Sequence, residues 1–449
     1  MMWRVPGVAV GAIQSQGRCE PMVWGLLGAL ARAGLGVQAF GGCAVPDARD
    51  VAQKITGRPL RHLDSWVQDH DATLCAMYRG TADCHAAVLF GSFCGPCGDA
   101  CVGSELGTLC QRLSLPRIAV VDVSQLDCCR IPQPPHALAG LLLDRVRGTR
   151  SRIEWQTLLE ALWDAPVLGW LDESLPARTM ADYLPAEQMP SDELLSDLAA
   201  SLSASLRFDR LTQLAQRSVW LPTPQYDGPP VKEGSRTKTR VAVAYDEAFP
   251  CYSADTLDML EAAGAGVCDF SPLKCERLPD RTDVVLLGTG TSDRYWPELA
   301  RNCCLQQSLR CFAAAGGRVY AEGSGLAYIS RQVVTAEGNA IPMAGLIPTV
   351  ARRSSVTRRY EPVQLTTGAA SWLFPVRQEL RGYREADWDI VPSGPMLTYA
   401  RERDARLDLL ARGNVIGSRI VFHLASRPEI LKRFLAPFVP LPAVAGAAR

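Results

Sequence analysis

The amino-acid sequence predicts an α/β protein with two domains. The chain has 449 residues, which is more than one ordinary hydrophobic core accommodates. In both halves, short apolar segments alternate with segments of helical periodicity, and a proline-rich, charged segment separates the two halves. Because parallel strands that are buried on both faces read as continuous apolar runs, this alternation is typical of parallel sheets covered by helices.

The first predicted domain covers residues 1–220. Its apolar segments predict six buried strands, at residues 8–10, 37–40, 86–90, 118–123, 141–144 and 167–171. We expect a helix directly after the first strand, because Pro21 is favoured at a helix start and Gly34 at a helix end.

The segment 221–239 predicts a linker between the domains. Prolines at positions 222, 224, 229 and 230, followed by a charged run, interrupt the strand–helix alternation. The second predicted domain covers residues 240–449. It begins with a strand at Val241 and has further predicted strands at residues 267–270, 284–287 and 319–322.

The charge balance argues against two classes of partner. The 47 basic and 47 acidic residues cancel, so no net charge attracts the chain to nucleic acid or to an anionic membrane. The longest apolar runs are strand-sized, and the first residues lack the pattern of a signal peptide. We therefore expect a cytoplasmic protein whose 16 cysteines are reduced, and are buried, metal-bound or redox-active.

The first predicted strand leads into a glycine-containing loop and then a helix. Such a connection favours an anion, because the loop amides and the helix dipole point toward it. The candidate loop residues are Gly11, Gly17, Arg18 and Cys19. Arg18 stands where a nucleotide-binding loop has lysine, and Cys19 where it has a hydroxyl for magnesium, which prefers oxygen ligands. The loop is either a degenerate Walker A nucleotide loop or an ordinary strand–turn–helix connection.

Residues 320–326 predict a second strand–turn–helix connection, with Gly323 at its apex. Class I glutamine amidotransferases use such a turn to present a catalytic cysteine, and here the apex residue has no thiol. Ser324, the next residue, would need a hydrogen-bonded base to act as a nucleophile. The alternative role of Ser324 is that of a turn residue or a helix N-cap.

Along nearly its whole length, the chain resembles the cobyrinic acid a,c-diamide synthase family, whose members amidate carboxylate side chains of a corrin ring with ATP and glutamine. The most specific segments are residues 56–66, 115–116 with 120–122, 244–249, 270–273 and 426–429. The resemblance implies an N-terminal P-loop NTPase-like synthetase domain, which uses ATP and magnesium. It also implies a C-terminal class I glutamine amidotransferase-like domain, which releases ammonia.

The resemblance implies that no glutaminase catalytic residue is intact. The catalytic cysteine position falls on Gly323 and the catalytic histidine position on Val421, while His423 matches a second family histidine. The oxyanion loop corresponds to residues 288–293, and a further family signature to residues 382–386. Attack on an amide requires a thiolate and a proton acceptor, so this pattern predicts loss of glutaminase activity. His423 is then expected to be a packing or hydrogen-bonding residue at a strand end.

The synthetase half is also altered. Where the family has an acidic residue after the third strand, this chain has Phe90, which cannot hold magnesium. The predicted substrate-binding residues are Arg58, Arg61, Asp64 and Trp66, because arginine pairs with carboxylates such as those of a corrin ring. A purely structural role for these four residues is equally open.

Three cysteines form a Cys-x2-Cys-x3-Cys run at Cys94, Cys97 and Cys101, directly after the third predicted strand. Cys19 and Cys43 follow two other strands, and the carboxyl ends of parallel strands converge on one crevice. The thiolates could therefore bind zinc or an iron–sulfur cluster. The alternatives are a dithiol redox pair and ordinary packing.

Three classes of function follow from the sequence. The favoured hypothesis is a non-catalytic homologue that binds a tetrapyrrole, or that acts as a partner subunit in a homodimer or in a complex with an active relative. The first alternative is an active amidating ligase that uses free ammonia. The second is a cysteine-ligated metal or redox protein on the same scaffold.

Overall fold

The computed structural model describes residues 2–4, 6–14, 19–45, 49–93, 103–127, 131–134, 137–185, 188–218, 221–224, 239–290, 292–354, 360–386, 388–394, 397–401 and 407–436. The chain divides into two compact units, Met1–Tyr226 and Asp227–Arg449. The division falls inside the segment predicted as a linker. Among the described residues, no helix has the length and apolar character needed to cross a membrane.

The first unit is a parallel sheet with helices between its strands. Its strands are β1 (Met2–Trp3), β2 (Gly7–Ala12), β3 (Val37–Gly41), β4 (Arg61–His62), β5 (Ala86–Ser92), β6 (Arg117–Asp122), β7 (Leu138–Val146), β8 (Val167–Asp172) and β9 (Leu221–Pro222). Its helices are α1 (Glu20–Arg32), α2 (Val51–Thr56), α3 (His70–Gly80), α4 (Leu106–Leu113), α5 (Gly148–Trp163), α6 (Pro176–Tyr183), α7 (Asp192–Ser205) and α8 (Phe208–Ala215).

Seven of these strands form one sheet in the order β4-β3-β5-β2-β6-β7-β8, and all neighbouring strands in it are parallel. The six predicted strands are confirmed, and so is the helix between Pro21 and Gly34. The predicted linker begins too early, because β9 pairs with β1 and the Trp3 indole donates a hydrogen bond to the Pro222 carbonyl. The long-range pairing of a two-residue strand leaves no periodic signal in the sequence.

The second unit combines a mixed sheet with two smaller sheets. Its strands are β10 (Arg240–Ala244), β11 (Gly266–Phe270), β12 (Val284–Leu287), β13 (Arg318–Glu322), β14 (Gln332–Val334), β15 (Ala340–Pro342), β16 (Thr349–Arg353), β17 (Tyr360–Thr366), β18 (Glu379–Glu385), β19 (Trp388–Pro392), β20 (Leu397–Arg401), β21 (Leu407–Arg412), β22 (Val415–Ser418) and β23 (Ile420–Val421). Its helices are α9 (Ala254–Ala262), α10 (Trp296–Arg301), α11 (Cys303–Ala314), α12 (Ser324–Ile329) and α13 (Pro428–Leu435).

The main sheet of the second unit has the order β11-β10-β12-β13-β22-β21-β20. Its strands are parallel from β11 to β22, and β21 and β20 continue the sheet antiparallel. The predicted strands β10 to β13 are confirmed. Strand β18 pairs with β17 and β23 in a separate antiparallel sheet. Both units are therefore α/β, as the sequence predicts.

Candidate functional site

The predicted turn between β13 and α12 is sharp. Gly323 has φ 56° and ψ −121°, a conformation that is open to glycine and strained for other residues. Its amide donates a hydrogen bond of 2.9 Å to the Ser418 carbonyl on β22. Of the two structural roles expected for Ser324, a turn residue or a helix N-cap, the N-cap role is wrong. Gly323 holds the N-cap position, and Ser324 is the first residue of the helix.

The space beside Gly323 is filled by two side chains from distant parts of the chain. A Cβ atom built on Gly323 would lie 2.5 Å from Glu385 Oε2, 2.7 Å from Thr289 Oγ1 and 2.8 Å from Thr289 Cβ. Thr289 and Glu385 are both fully buried. The Thr289 hydroxyl lies 3.3 Å from each Glu385 carboxylate oxygen and 3.4 Å from the Ser324 hydroxyl. The apex thus has a hydroxyl and a carboxylate where a side chain would otherwise project.

A second carboxyl group lies directly before the apex. Glu322 Oε2 accepts a hydrogen bond of 2.9 Å from the Tyr320 hydroxyl and one of 3.3 Å from the Phe422 amide. Removal from water raises the pKa of Glu322 to about 7, and the negative charge of Glu385 acts in the same direction. Two carboxyl groups therefore flank Gly323.

The residues at the family's two histidine positions, Val421 and His423, are both buried. Val421 is buried on β23, where it pairs with Tyr383 of β18. His423 follows β23 after one intervening residue, Phe422, and is buried, with its Nε2 atom 3.9 Å from Asp255 Oδ2 at the start of α9. Its packing or hydrogen-bonding role stays a prediction. Val421 has no group that takes up a proton.

The loop after β12 is held by the segment before α9. The Gly288 amide donates a hydrogen bond of 2.9 Å to the Tyr252 hydroxyl, and the Cys251 amide donates one of 3.2 Å to the Thr289 carbonyl. A Cβ atom on Gly290 would lie 2.3 Å from the Ala248 carbonyl oxygen. This close packing fixes Thr289 beside the apex.

In the first unit, the described part of the candidate nucleotide loop packs against apolar side chains. A Cβ atom on Gly11 would lie 2.6 Å from Leu106 and 2.7 Å from the Phe93 ring. Cys19 is the N-cap residue of α1 without a side-chain capping bond, and its thiol donates to the Gly91 carbonyl over 3.5 Å. Gly17 and Arg18 lie outside the described residues. The nucleotide-binding role of this loop stays a prediction.

The cysteine run Cys94, Cys97 and Cys101 also lies outside the described residues. Cys19 and Cys43 follow β2 and β3, which are both neighbours of β5 in the sheet. Within the described part of the chain, no group of three or more His, Cys, Asp or Glu side chains has the arrangement of a metal site. A metal site at Cys94, Cys97 and Cys101 therefore stays a prediction.

The predicted substrate-binding residues do not share one end of the parallel strands. The Arg58 guanidinium donates to the Asp83 carbonyl, just before the amino end of β5. Asp64 follows the carboxyl end of β4 and is fully buried. Its carboxylate accepts hydrogen bonds from the amides of Ala44, Trp66 and Val67, at 2.8, 2.7 and 3.1 Å. These contacts give Asp64 a loop-stabilising role. Arg61 is the first residue of β4 itself.

Sequence reasoning missed a charged network at the carboxyl ends of β6 and β7. Arg178 on α6 makes a bidentate, buried ion pair with Asp144, with distances of 2.8 and 2.7 Å. Arg178 also forms an ion pair with Asp182 at 2.7 Å. Arg145 forms ion pairs with Asp182 at 2.9 Å and with Asp122 at 3.4 Å. Desolvation raises the pKa of Asp144 against the opposing effect of Arg178. Arg178 and Asp182 are four residues apart on α6, but Asp144 and Arg145 are more than thirty residues from their partners on this helix, so no local motif could have revealed the whole network.

Two α/β units, the second with a strand–turn–helix apex, define the class of this chain as a two-domain α/β protein with an amidotransferase-like second unit. Residues 240–386 match the family of CobB/CobQ-like glutamine amidotransferase domains. A cobyrinate a,c-diamide synthase from Synechocystis is 30% identical over 380 residues, which cover 80% of this chain and 77% of that protein. The cobyrinate a,c-diamide synthase of Syntrophotalea carbinolica is 28% identical, with 96% of this chain and 98% of that protein covered. The Salmonella typhimurium protein of the same name is 27% identical, with 92% and 94% covered.

This chain belongs to the cobyrinate a,c-diamide synthase family. The predicted resemblance is thereby confirmed along nearly the whole chain. Membership concerns descent and fold, whereas activity depends on the particular residues at the sites.

Proposed function

We propose that this protein is a non-catalytic member of the cobyrinate a,c-diamide synthase family, which binds a tetrapyrrole or serves as a partner subunit in the cytoplasm. One observation carries the proposal. At the apex where the family places its nucleophile, this chain has Gly323, and the neighbouring space holds the side chains of Thr289 and Glu385. No thiol extends from this turn to attack an amide.

The surroundings of the apex support the same conclusion. Proton transfer to and from a nucleophile needs a base within hydrogen-bond reach, and Val421 supplies an apolar side chain instead. Ser324 is nearly fully buried, and its hydroxyl lies 3.4 Å from the Thr289 hydroxyl. A hydroxyl is a poor base, so Ser324 is no substitute for the missing pair.

Loss of ligase activity forms the second part of the proposal. It rests on Arg18, Cys19 and Phe90, which replace the lysine, the hydroxyl and the acid that the family uses for ATP and magnesium. Of these, Phe90 packs against the hydrophobic core of the first unit. A ring in that position offers no oxygen to a cation.

The test of the proposal is a glutaminase assay. Purified protein should release glutamate from glutamine no faster than buffer, because loss of a nucleophile alone costs on the order of a millionfold in turnover. The Synechocystis relative, assayed in parallel, serves as the positive control. A saturable rate that exceeds the buffer rate and follows the protein through purification would refute the proposal.

A further inference from the structure

Three elements and one loop converge on Gly323. Strand β13 leads into the apex, the β22 carbonyl of Ser418 accepts its amide, and β18 ends at Glu385. The loop after β12 delivers Thr289, which is 96 residues away from Glu385 in sequence. The filling of this space is therefore a product of the whole second unit, since no local segment brings the two side chains together.

We propose that Glu385, positioned by Thr289, fills the space where the family places its nucleophile; this inference rests on the proposed function. No residue larger than glycine is accepted at position 323 while both side chains are present. We call the pair Thr289 and Glu385 the seal. Native Cβ atoms essentially never approach another heavy atom as closely as 2.5 Å, the distance to Glu385 Oε2. Thr289 Cβ, at 2.8 Å, is attached directly to the backbone and cannot move away by a change of rotamer.

Burial of the two side chains leaves them little freedom to move aside. Both have no measurable exposure. Displacing the Glu385 carboxylate would also separate it from the Thr289 hydroxyl, which lies 3.3 Å away. A buried polar group that loses its partner is costly, so the seal resists a side chain at position 323 on both steric and polar grounds.

Backbone strain contributes separately to the cost of a substitution here, and a second glycine isolates that contribution. Gly413 has φ 58°, close to the 56° of Gly323, and no atom lies within 4 Å of a Cβ built on it. The variant G413A therefore reports the cost of a positive φ without a steric conflict, whereas G323A reports the cost of its own backbone conformation together with the steric conflict.

The experiment compares the stability of these variants by urea unfolding of the full chain. Hydrogen exchange with mass spectrometry reads out the second unit separately. We expect both G323A and G413A to lower the folding equilibrium constant of this unit. The fold decrease should be about ten times larger for G323A than for G413A. The E385A/T289A background removes the conflicts with Glu385 Oε2 and Thr289 Oγ1 and keeps a Cβ atom at position 289, so this excess should shrink without vanishing. Equal effects of G323A and G413A, or an excess that persists unchanged in the E385A/T289A background, would overturn the seal.

If E385A/T289A does not fold, E385D tests the Glu385 part of the conflict alone, because the shorter side chain withdraws the carboxylate from position 323 while Thr289 stays in place. An unchanged G323A excess in E385D would then count against the proposal. The glutaminase assay of the unaltered protein is an independent measurement. Glutamine hydrolysis would refute the proposed function, whereas the stability comparison alone decides whether the site is sealed.

Discussion

At the residue scale, Glu322 couples the stability of the second unit to pH. Its carboxyl group is partly buried beside Tyr320 and near Glu385, and its pKa rises from 4.5 to about 7. The folded state therefore keeps a proton that the unfolded state releases between these two values. The stabilising contribution of the protonated group is fully present below pH 4.5 and is lost as pH rises through about 7.

We predict that E322Q removes this part of the pH dependence. The quantity to compare is the free energy of unfolding of E322Q minus that of the unaltered protein. This difference should be larger at pH 8 than at pH 4 by on the order of 2 kcal/mol. Urea unfolding across this pH range measures the difference. Y320F is the matched control. It removes the hydroxyl that stabilises the charged carboxylate, so the loss of stability above pH 5 should become steeper.

A difference between E322Q and the unaltered protein that is the same at pH 4 and pH 8 would contradict the raised pKa of Glu322. The control also separates two explanations. If Y320F, which keeps the Glu322 carboxyl group, lost its pH dependence as E322Q does, Glu322 would not be the group that titrates.

At the element scale, glycines set the distance between α1 and α7. A Cβ atom on Gly28 would lie 2.6 Å from Ala199 Cβ, and one on Gly25 would lie 3.2 Å from the Leu198 carbonyl oxygen. Small residues at these positions allow the two helix backbones to approach closely. The α1 helix follows the candidate nucleotide loop, so its packing also positions Cys19.

We predict that G28A destabilises the first unit by about 1–3 kcal/mol, since the added methyl group forces α1 and α7 apart. G107A is the matched helical control, because nothing lies within 4 Å of a Cβ built on Gly107. Its expected effect is a stabilisation of less than about 1 kcal/mol from helix propensity, because Gly107 lies in the first turn of α4. Thermal unfolding of the two variants should shift in opposite directions. An increase in the stability of G28A would contradict this prediction, because it would show that α1 and α7 have space for the added methyl group.

At the scale of the whole molecule, family membership leads us to expect a tetrapyrrole ligand. A cobyrinate-type corrinoid, titrated into the protein and followed by its absorption spectrum, should show a saturable shift. R61A should weaken the binding, because it removes a cation that can pair with a ring carboxylate. R150A is the control, since Arg150 is 93% exposed and pairs with Glu154 on the surface of α5.

A corrinoid spectrum that stays unchanged up to millimolar protein would eliminate the tetrapyrrole role and leave the partner-subunit role. Equal weakening by R61A and R150A would show that general charge, and not a site on β4, attracts the ligand. Both outcomes can be read from the same titration.

Most of the predicted strands, such as β2 and β12, have continuous apolar runs that are buried. Their hydrophobicity is visible in any single segment. Several of the strands from β14 onward alternate between buried and exposed residues, as β17 does. Their pairing depends on partners elsewhere in the chain, so the sequence did not predict them.

The sequence by itself determined the α/β class, the family, and the absence of a thiol at position 323, because each of these is recorded in local composition and in the order of motifs. Only the tertiary structure decided what occupies the space beside that position. Thr289 and Glu385 reach Gly323 from a loop and a strand that are distant in sequence, and burial of their polar groups requires that they contact each other. Such a contact depends on the geometry of folding, which no single segment encodes.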